Sequence, residues 1–272
     1  MKQSVFHCRN FDLPLGKKTY IMGILNTTPD SFSDGGSHTD LEKAVERARR
    51  MVDEGVDIID IGGESTRPGF TPVSAEEEIR RVVPLVQRIA GLNVPLSIDT
   101  TKAAVARAAL QAGAHIINDI WGLQREPMAE ICGEFDAGVI VMHNQDGDTY
   151  KKDIMWSIKD FLKTSVKIAK KGGIAANAIM LDPGIGFGKD LNGNLETMRR
   201  LAELKSLGYP ILLGPSRKSM IGKVLNLPAN ERFEGTAAAV AVGIVYGSDV
   251  VRVHDTKEIK RVAVMTDAMV RR

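Results

Sequence analysis

Three neighbouring stretches decide the fold: DIIDIGG (Asp57–Gly63), SAEEEIRRVVPLVQRIAG (Ser74–Gly91) and VPLSIDT (Val94–Thr100). The outer two are short apolar runs that end in small and polar residues, a pattern typical of buried strands. The middle stretch has a helical pattern, and Ser74 and Glu77 at its start have the spacing of a capping box. Together they predict two parallel strands joined by a helix in a right-handed crossover.

This alternation extends over most of the chain. Further helical patterns cover Thr39–Gly55, Leu195–Leu207 and Thr256–Met269, the first with Thr39 or Asp40 as its predicted cap and Gly55 at its end. The predicted strands are Tyr20–Asn26, Asp57–Gly63, Val94–Thr100, His115–Ile120, Gly138–His143, Ala178–Gly184, Pro210–Ser216 and Val250–His254.

Eight strand–helix units predict a TIM (β/α)8 barrel over residues 20–272, and the length of 272 residues suits that fold. An open doubly wound sheet is the competing architecture. Residues 1–18 stand outside the repeat and are predicted to form an N-terminal β-hairpin across the lower end of the barrel. Because no linker is visible, residues 1–272 are predicted to be a single domain.

Composition excludes several classes of partner. A formal net charge of +2 gives no reason to expect nucleic acid or an anionic membrane. The apolar run TAAAVAVGIVYG (Thr236–Gly247) is about half the ~20 residues of a membrane span and is predicted to be a buried helix. Cys8 and Cys132 match no metal or redox spacing, which predicts reduced thiols in a cytoplasmic protein.

Every predicted strand ends on polar or ionisable residues, and barrel active sites lie at the carboxyl ends of the strands. Eight such ends at one rim predict a functional site. The groups in chain order are Asn26, the segment GGESTRPG (62–69), Asp99, Asn118 with Asp119, His143, Asp182, the segment PSRKS (215–219), and Arg252 with His254.

Each of these residues also has a purely local interpretation. Asp99 has the position of a helix cap, Asp182 that of a turn former, and Asn118 with Asp119 that of an Asx turn. His143 is better explained as a structural histidine at the rim. Taken together, however, Asp99, Asn118 and Asp182 would aim two carboxylates and an amide into one cavity. Unpaired buried polar groups cost ~1–3 kcal/mol each, so a ligand rich in N–H donors is expected there.

Cations accompany these acceptors. Arg252 and His254 flank Val253 in an apolar strand and should face the same side, which suits an anion such as phosphate. The glycines of DPGIGFGK (Asp182–Lys189) do not have the spacing of a dinucleotide fingerprint, and GPSRKSMIG (Gly214–Gly222) lacks that of a P-loop. We expect the first set of glycines to let a flat ligand lie against the backbone.

The longer motifs resemble the dihydropteroate synthase family of pterin-binding TIM-barrel enzymes, the sulfonamide target of the folate pathway. ILNTTPDSFSDGG (Ile24–Gly36), DIIDIGGESTRPG (Asp57–Gly69), SIDT, IINDI, LDPGIGFGK, SRKSMIG and RVHD match that family in order along nearly the whole chain. The resemblance implies condensation of (7,8-dihydropterin-6-yl)methyl diphosphate with 4-aminobenzoate, which yields 7,8-dihydropteroate and pyrophosphate.

The resemblance also implies roles for particular residues, six of them catalytic: Asp99, Asp182, Lys218, Asn26, Arg252 and His254. The implied pterin-binding residues are Asp99, Asn118, Asp182, Lys218 and Arg252. The implied diphosphate-binding residues are Asn26, Arg67, Arg252 and His254, with Mg²⁺ on Asn26. The implied 4-aminobenzoate slot consists of Phe32, Thr66, Pro68, Phe187, Lys218 and Ser219.

In that family the loop at about 27–37 and the STRPG loop close over bound pterin diphosphate, and two copies pair through the last helices. The resemblance therefore implies mobile loops, a homodimer and a dissociative reaction in which pyrophosphate leaves before the arylamine attacks.

Two segments depart from the family pattern, Trp121 and MHNQDGDTY (Met142–Tyr150), and either can alter the mouth of the barrel or the dimer contact. Two other functions remain as alternatives. A methyltetrahydrofolate-corrinoid methyltransferase would share the pterin carboxylates but would not need the diphosphate cluster. A non-catalytic pterin-binding paralogue would be expected to have lost Asn26, Lys218 or Arg252, and all three are present.

Overall fold

The chain is described by a computed structural model that covers residues 4–27, 38–64, 72–125 and 127–271. It begins with an antiparallel hairpin of β1 (Val5–Cys8) and β2 (Phe11–Pro14). This confirms the predicted N-terminal hairpin.

Eight parallel strands follow and form one sheet in the order β8-β7-β6-β5-β4-β3-β10-β9. A parallel bridge between Leu181 and Ile211 joins β8 to β9 and closes the sheet on itself. The predicted barrel is therefore correct, and the open doubly wound alternative is wrong. The strands are β3 (Tyr20–Asn26), β4 (Ile58–Gly62), β5 (Leu96–Asp99), β6 (Ile116–Asp119), β7 (Gly138–Met142), β8 (Ile179–Asp182), β9 (Leu212–Leu213) and β10 (Val250–Val253).

Helices lie between consecutive strands and surround the barrel. They are α1 (His38–Asp53), α2 (Ala75–Ile89), α3 (Ala103–Gln111), α4 (Met128–Glu134), α5 (Ile154–Lys171), α6 (Leu191–Arg199), α7 (Ser219–Leu225), α8 (Phe233–Tyr246) and α9 (Thr256–Val270). Short 3₁₀ helices cover Ala176–Ala178, Leu201–Leu207 and Ala229–Glu231.

Local chemistry explains where the predicted boundaries hold and where they fail. Ser74 caps α2 by accepting from the backbone N–H of Glu77, as predicted. The predicted helix Leu195–Leu207 is wrong, because Asp190 caps a helix that begins at Leu191 and ends at Arg199. The first helix begins at His38, before both of its predicted caps. Strand β9 has only two residues, and Ile211 directly before it makes an isolated bridge to Leu181 while its N–H donates to the Asp249 side chain.

Two layers of hydrophobic residues form the core. The larger one lies between the strands and the helices. The smaller one fills the lower barrel, where Phe6 and Cys8 of the hairpin pack against inward-facing residues such as Met22, Ile58 and Val250. The hairpin thus closes the end of the barrel opposite the strand tips, and any inner site must open at the tips.

The apolar segment predicted as a buried helix forms most of α8 and is buried on one side only. Val240 and Ile244 are buried, whereas Val242 and Val245 are exposed. In the part of the chain that the structure describes, no helix has both the length and the apolar character needed to cross a membrane.

Candidate active site

Alternation along the strands places the site residues in one layer of the barrel. Ile58, Ile116, Met180 and Val250 point inward and help to close the lower barrel. Side chains of a strand alternate between its two faces, so the residues two positions further on also point inward. These residues are Asp60, Asn118, Asp182 and Arg252, and Asp99 of β5 lies opposite Asn118 in register. The pattern therefore stacks a polar layer directly on an apolar one.

Arg252 lies at the centre of this layer. Its Nε donates to Oδ2 of Asp60 and its Nη2 donates to Oδ2 of Asp99, both at 2.6 Å. Asn118 Nδ2 donates to the same Asp60 oxygen at 3.3 Å. The side chains of Asp60 and Asp99 are 0% and 5% exposed, so this guanidinium joins three strands through buried ion pairs.

The two predicted site carboxylates have raised pKa values. Burial raises the pKa of Asp99 to about 7, and the negative charge of Asp60 adds to this against the lowering effect of Arg252. Burial likewise raises the pKa of Asp182 to about 6, although the Gly184 N–H and Lys218 favour the ionised form. Raised carboxyl pKa values in a cleft are typical of functional sites.

The structure shows for each of these residues whether the cap or turn predicted as its local role is formed. Helix α3 begins at Ala103 without a side-chain cap, so Asp99 is not a helix cap. Asp119 accepts from Trp121 N at 2.9 Å and Leu123 N at 2.8 Å, so it forms the local turn, whereas its neighbour Asn118 points into the barrel. Asp182 does both, because one of its oxygens accepts from Gly184 N at 2.7 Å while its side chain lies in the inner layer.

The loop after β8 brings a second group of predicted residues to the rim. Lys218 Nζ lies 4.0 Å from the ring centroid of Phe187. A Cβ at Gly184 would come within 1.9 Å of the His143 carbonyl oxygen, and one at Gly186 within 2.9 Å of Lys218 Cδ. Both glycines have positive φ. At these two positions the missing side chain makes room for the chain itself, and the flat ligand against this loop stays a prediction.

Lys189 ties the same loop together. Its Nζ donates to the carbonyl oxygens of Gly184 at 2.9 Å and Phe187 at 3.0 Å, and lies 3.0 Å from His143 Nδ1. Burial lowers the pKa of His143 to about 3 and that of Lys189 to about 7. His143 is thus a buried structural residue beneath the rim, as the sequence favoured.

Asn26 and His254 lie on neighbouring parts of the rim. Asn26 ends β3, and Gly62 beside it leaves room for the amide, since a Cβ there would lie 3.4 Å from Asn26 Oδ1. His254 Nδ1 lies 2.9 Å from Ser216 Oγ, and Ser219 begins α7 with an exposed side chain. The predicted residues Phe32, Thr66, Arg67 and Pro68 fall outside the described residues, as do nearly all of the two loops expected to close.

The segments that depart from the family pattern also reach the mouth. Trp121, Gln145 and Asp146 line a cavity of about 370 Å³ together with Asp99 and Phe187. The Arg125 guanidinium lies 3.1 Å from the Trp121 ring centroid, and it donates to Asp146 at 3.1 Å. The loops after β6 and β7 are thus held to each other at the edge of the site.

Asp60 was not among the residues predicted from the sequence. It falls within the strand pattern DIIDIGG, where an acidic residue two positions after an inward-facing isoleucine faces the barrel interior. That spacing was the available signal. Asp60 lies inside β4 and not at its end, and the sequence alone does not show which face of that strand points inward.

Comparison with known proteins agrees with this geometry. Residues 22–254 match the family model described as pterin binding enzyme. A dihydropteroate synthase from Clostridium beijerinckii is 54% identical over 261 residues, 95% of this chain and 97% of its own. A crystal structure of the Clostridium difficile dihydropteroate synthase in the presence of pteroic acid is 55% identical, with a TM-score of 0.94 and coverage of 96% of this chain and 100% of its own. The Yersinia pestis dihydropteroate synthase in a sulfonamide drug complex is 42% identical, with a TM-score of 0.90 and coverage of 97% and 98%.

The chain belongs to the pterin binding enzymes, because that family model matches residues 22–254. The closed parallel barrel and its inner polar layer agree with this family. Within that family the chain belongs to the dihydropteroate synthases, transferases of folate biosynthesis.

Proposed function

We propose that the chain condenses (7,8-dihydropterin-6-yl)methyl diphosphate with 4-aminobenzoate at the strand tips of its barrel, releasing pyrophosphate and forming 7,8-dihydropteroate. The observation that carries this proposal is the buried layer of Asp99, Asn118, Asp182 and Arg252 in a member of the dihydropteroate synthases.

The acceptors of this layer suit a pterin. Oδ1 of Asp99 is buried without a hydrogen-bond partner among the described residues. The aminopyrimidinone edge of a pterin presents several N–H donors, and carboxylates accept such donors bidentately. We assign that edge to Asp99, Asn118 and Asp182, with Lys218 beside it and the Arg252 guanidinium against the ring face.

The diphosphate is assigned to the cations at the rim. Arg252 lies in β10 and His254 directly follows that strand, whereas Arg67 lies outside the described residues. Among those described, no group of three His, Cys, Asp or Glu residues could hold a metal ion. Mg²⁺ keeps several waters and binds through one or two protein oxygens plus phosphate, so the amide oxygen of Asn26 beside Gly62 fits it. When bound there, Mg²⁺ would neutralise charge on the leaving group.

The arylamine slot is assigned to Phe187, Lys218 and Ser219 on the described side of the site. Lys218 Nζ lies 4.0 Å from the Phe187 ring centroid, and we assign the carboxylate of the arylamine to Ser219, which is exposed at the start of α7. Phe32, Thr66 and Pro68 are assigned to the other side of the slot and lie outside the described residues.

The proposed reaction is dissociative. The bond between the pterin methylene carbon and the diphosphate oxygen breaks first, and its electron pair leaves with pyrophosphate. Asp99 and Asp182 stabilise the positive charge left on the pterin, while Arg252 and His254 stabilise the departing anion. The amine nitrogen of 4-aminobenzoate then forms the new C–N bond and loses one proton to solvent.

Product stoichiometry and positional isotope exchange test this proposal. Purified protein with both substrates and Mg²⁺ should release one pyrophosphate per dihydropteroate formed. With pterin diphosphate alone, a dissociative reaction should exchange the bridging oxygen of ¹⁸O-labelled diphosphate into non-bridging positions. No exchange and no release without the arylamine would contradict the order of steps.

The same assay separates the alternatives. A corrinoid methyltransferase would form no pyrophosphate, and a non-catalytic paralogue would bind pterin without turnover.

We also propose a homodimer formed through α7, α8 and α9, and a cytoplasmic location. Of the large hydrophobic side chains that are exposed in the described residues, all except Trp156 lie on these three helices. They are Val224, Leu225, Val242, Val245, Val264, Met265, Met269 and Val270. Large exposed apolar patches mark interaction surfaces.

Two buried free cysteines agree with the reducing compartment of the proposed cytoplasmic location.

A further inference from the structure

Asp60 lies beside the residues of the proposed pterin site and contacts two of them at once. Its side chain is 0% exposed. One oxygen, Oδ2, accepts from Arg252 Nε at 2.6 Å and from Asn118 Nδ2 at 3.3 Å. The family resemblance implies no role for Asp60, although it lies in the same layer as Asn118 and Arg252.

We propose that Asp60 is a positioning residue, which holds Arg252 and Asn118 in place and keeps the Arg252 charge paired while Asp99 exchanges its partner for the pterin. This inference rests on the function proposed above.

The exchange follows from the contacts of Asp99. Oδ2 of Asp99 accepts from Arg252 Nη2 at 2.6 Å, whereas Oδ1 has no partner among the described residues. A pterin edge that uses both oxygens must replace or share the Arg252 contact. Arg252 is held through a second nitrogen, Nε, so this replacement leaves its bond to Asp60 intact.

The positive charge of Arg252 needs the Asp60 carboxylate as a second partner. The Arg252 side chain is only 15% exposed, and an unpaired buried guanidinium is strongly unfavourable. Without Asp60, Arg252 would have to keep its bond to Asp99, and it would then compete directly with the pterin. With Asp60, the guanidinium stays paired and stays close enough to meet the ring face.

Asp60 acts through its neighbours and not on the substrate. It is opposite Ile24 on one side and Ser97 on the other, one inward position below Gly62 and Asp99. The pterin edge is assigned to Asp99, Asn118 and Asp182, and Asp60 is assigned no contact with it. Asp60 therefore affects catalysis only through the positions of Arg252 and Asn118 and through its charge near Asp99.

A pH dependence separates this role from simple structural support. The charged and titratable groups that face Asp99 are Arg252, Asp60, Lys218 and Glu78. Of these, Asp60 and Glu78 raise its pKa and the two cations lower it. Removing the Asp60 charge, and returning Arg252 to Asp99, both make Asp99 easier to ionise. The loss of pterin binding on acidification should then occur at lower pH.

The experiment compares Asp60→Asn with Asp249→Asn. Asn keeps the shape of Asp60 and removes its charge. Asp249 is an equally buried aspartate at the opposite end of β10, where its Oδ2 accepts from Ile211 N at 3.1 Å. The probe is 6-hydroxymethyl-7,8-dihydropterin, which carries no phosphate, and its binding is measured by calorimetry between about pH 5.5 and 8.5, a range that spans the Asp99 titration.

Asp60→Asn should weaken binding at pH 8 by about 10-fold or more, as expected when one partner of a buried charge pair is removed. It should also move the acidic midpoint of binding to lower pH. Asp249→Asn should leave both unchanged, even if its melting temperature falls. Equal binding and an equal midpoint in wild type and Asp60→Asn would overturn the proposal.

A measurement on the wild type covers the case in which Asp60→Asn does not fold. The ¹⁵N–H signal of Arg252 Nε, identified by its loss in Arg252→Gln, should stay protected from solvent exchange when pterin saturates the site. Rapid exchange in the bound state would show that the Asp60 contact is given up, and the proposal would be wrong. If the wild type binds no pterin at all, the proposed function itself fails.

Discussion

Asp182 shows how one residue combines a local and a functional task. Its Oδ1 closes a turn onto Gly184 N at 2.7 Å, and its side chain is 5% exposed in the inner layer. The turn fixes the carboxylate before any ligand arrives. Preorganised charge of this kind contributes most to catalysis, because it needs no reorganisation as charge develops.

Replacing that charge should therefore slow the reaction while leaving the fold intact. Asp182→Asn keeps the turn acceptor but removes the negative charge, and kcat/KM should fall by at least ~10²-fold. Initial rates of pyrophosphate release, with melting temperature as the check on folding, measure the effect. A rate near that of the wild type would contradict the assigned role.

Asp119 provides the matched control. It is also a buried aspartate next to the site layer, but its oxygens accept from Trp121 N and Leu123 N. Asp119→Asn turns one of these two acceptor oxygens into an NH2 donor, so it should lower stability by about 1–3 kcal/mol, and it should leave kcat/KM within a few-fold of wild type.

At the residue scale the sequence indicated which polar residues lie at strand ends but not how they bond to one another. Asp99, Asn118 and Arg252 were predicted together from strand ends and the family resemblance, and the structure brings them within one hydrogen-bonded group. Asp60 was missed, since its place depends on which face of the strand points inward. The pairing of Arg252 with two carboxylates depends on three-dimensional register and could not be read from spacing.

At the element scale, the loop from Asp182 to Lys189 depends on backbone conformations that few residues adopt. Gly184 has a φ of +71°, and a Cβ there would lie 1.9 Å from the His143 carbonyl oxygen. The loop therefore fits onto β7 only because this position has no side chain.

Two glycine variants separate conformational strain from this steric clash. Gly173 has a φ of +87°, but a Cβ there would meet nothing within 4 Å. Gly173→Ala should cost about 1–2 kcal/mol, the penalty of a left-handed residue alone. Gly184→Ala should cost clearly more and should also reduce activity, because Asp182 and Phe187 flank it. Urea denaturation measures both, and equal losses of stability would contradict the contact with His143.

The N-terminal hairpin is attached to the barrel by a titratable group. His7 Nδ1 lies 2.8 Å from Asp12 and Nε2 lies 3.0 Å from Asp136 in the turn before β7. The hydrogen bonds to Asp12 and then to Asp136 raise the pKa of His7 above 6.5. The stabilisation is therefore fully present below pH 6.5 and is lost as pH rises through the raised value.

The effect should be small, since both carboxylates are about two-thirds exposed. Wild type should exceed His7→Gln in stability by about 0.5–1 kcal/mol at pH 6, and the difference should shrink by pH 9. Denaturation curves at the two pH values measure it. A difference that grows with pH would contradict the assignment of His7 as a protonated bridge.

Helix and strand boundaries show where local signals suffice. Ser74 caps α2 as predicted, because the capping pattern acts within a few residues. The helix predicted at 195–207 was wrong because apolar spacing continues through the 3₁₀ helix Leu201–Leu207. Both helix types bury the same face, so their spacing did not distinguish them.

For the whole molecule, repetition of the strand–helix unit was sufficient to predict the barrel, whereas closure depends on a contact between β8 and β9. The exposed face of α8 was not foreseen. Its sequence is apolar on every side, and composition alone cannot tell a helix buried in one chain from a helix covered by a second copy.

That ambiguity leads to a prediction about assembly. Val245 on α8 and Met269 on α9 are 53% and 67% exposed, and α8 packs directly on α9. If a second copy covers this face, Val245→Glu would bury a charge at the interface and should convert dimer to monomer. Trp156→Glu on α5 is the matched control: its side chain is 46% exposed, but it lies apart from this patch. Sedimentation velocity should report a dimer for wild type and Trp156→Glu and a monomer for Val245→Glu. A wild type that sediments as a monomer, or a Val245→Glu dimer, would exclude this interface.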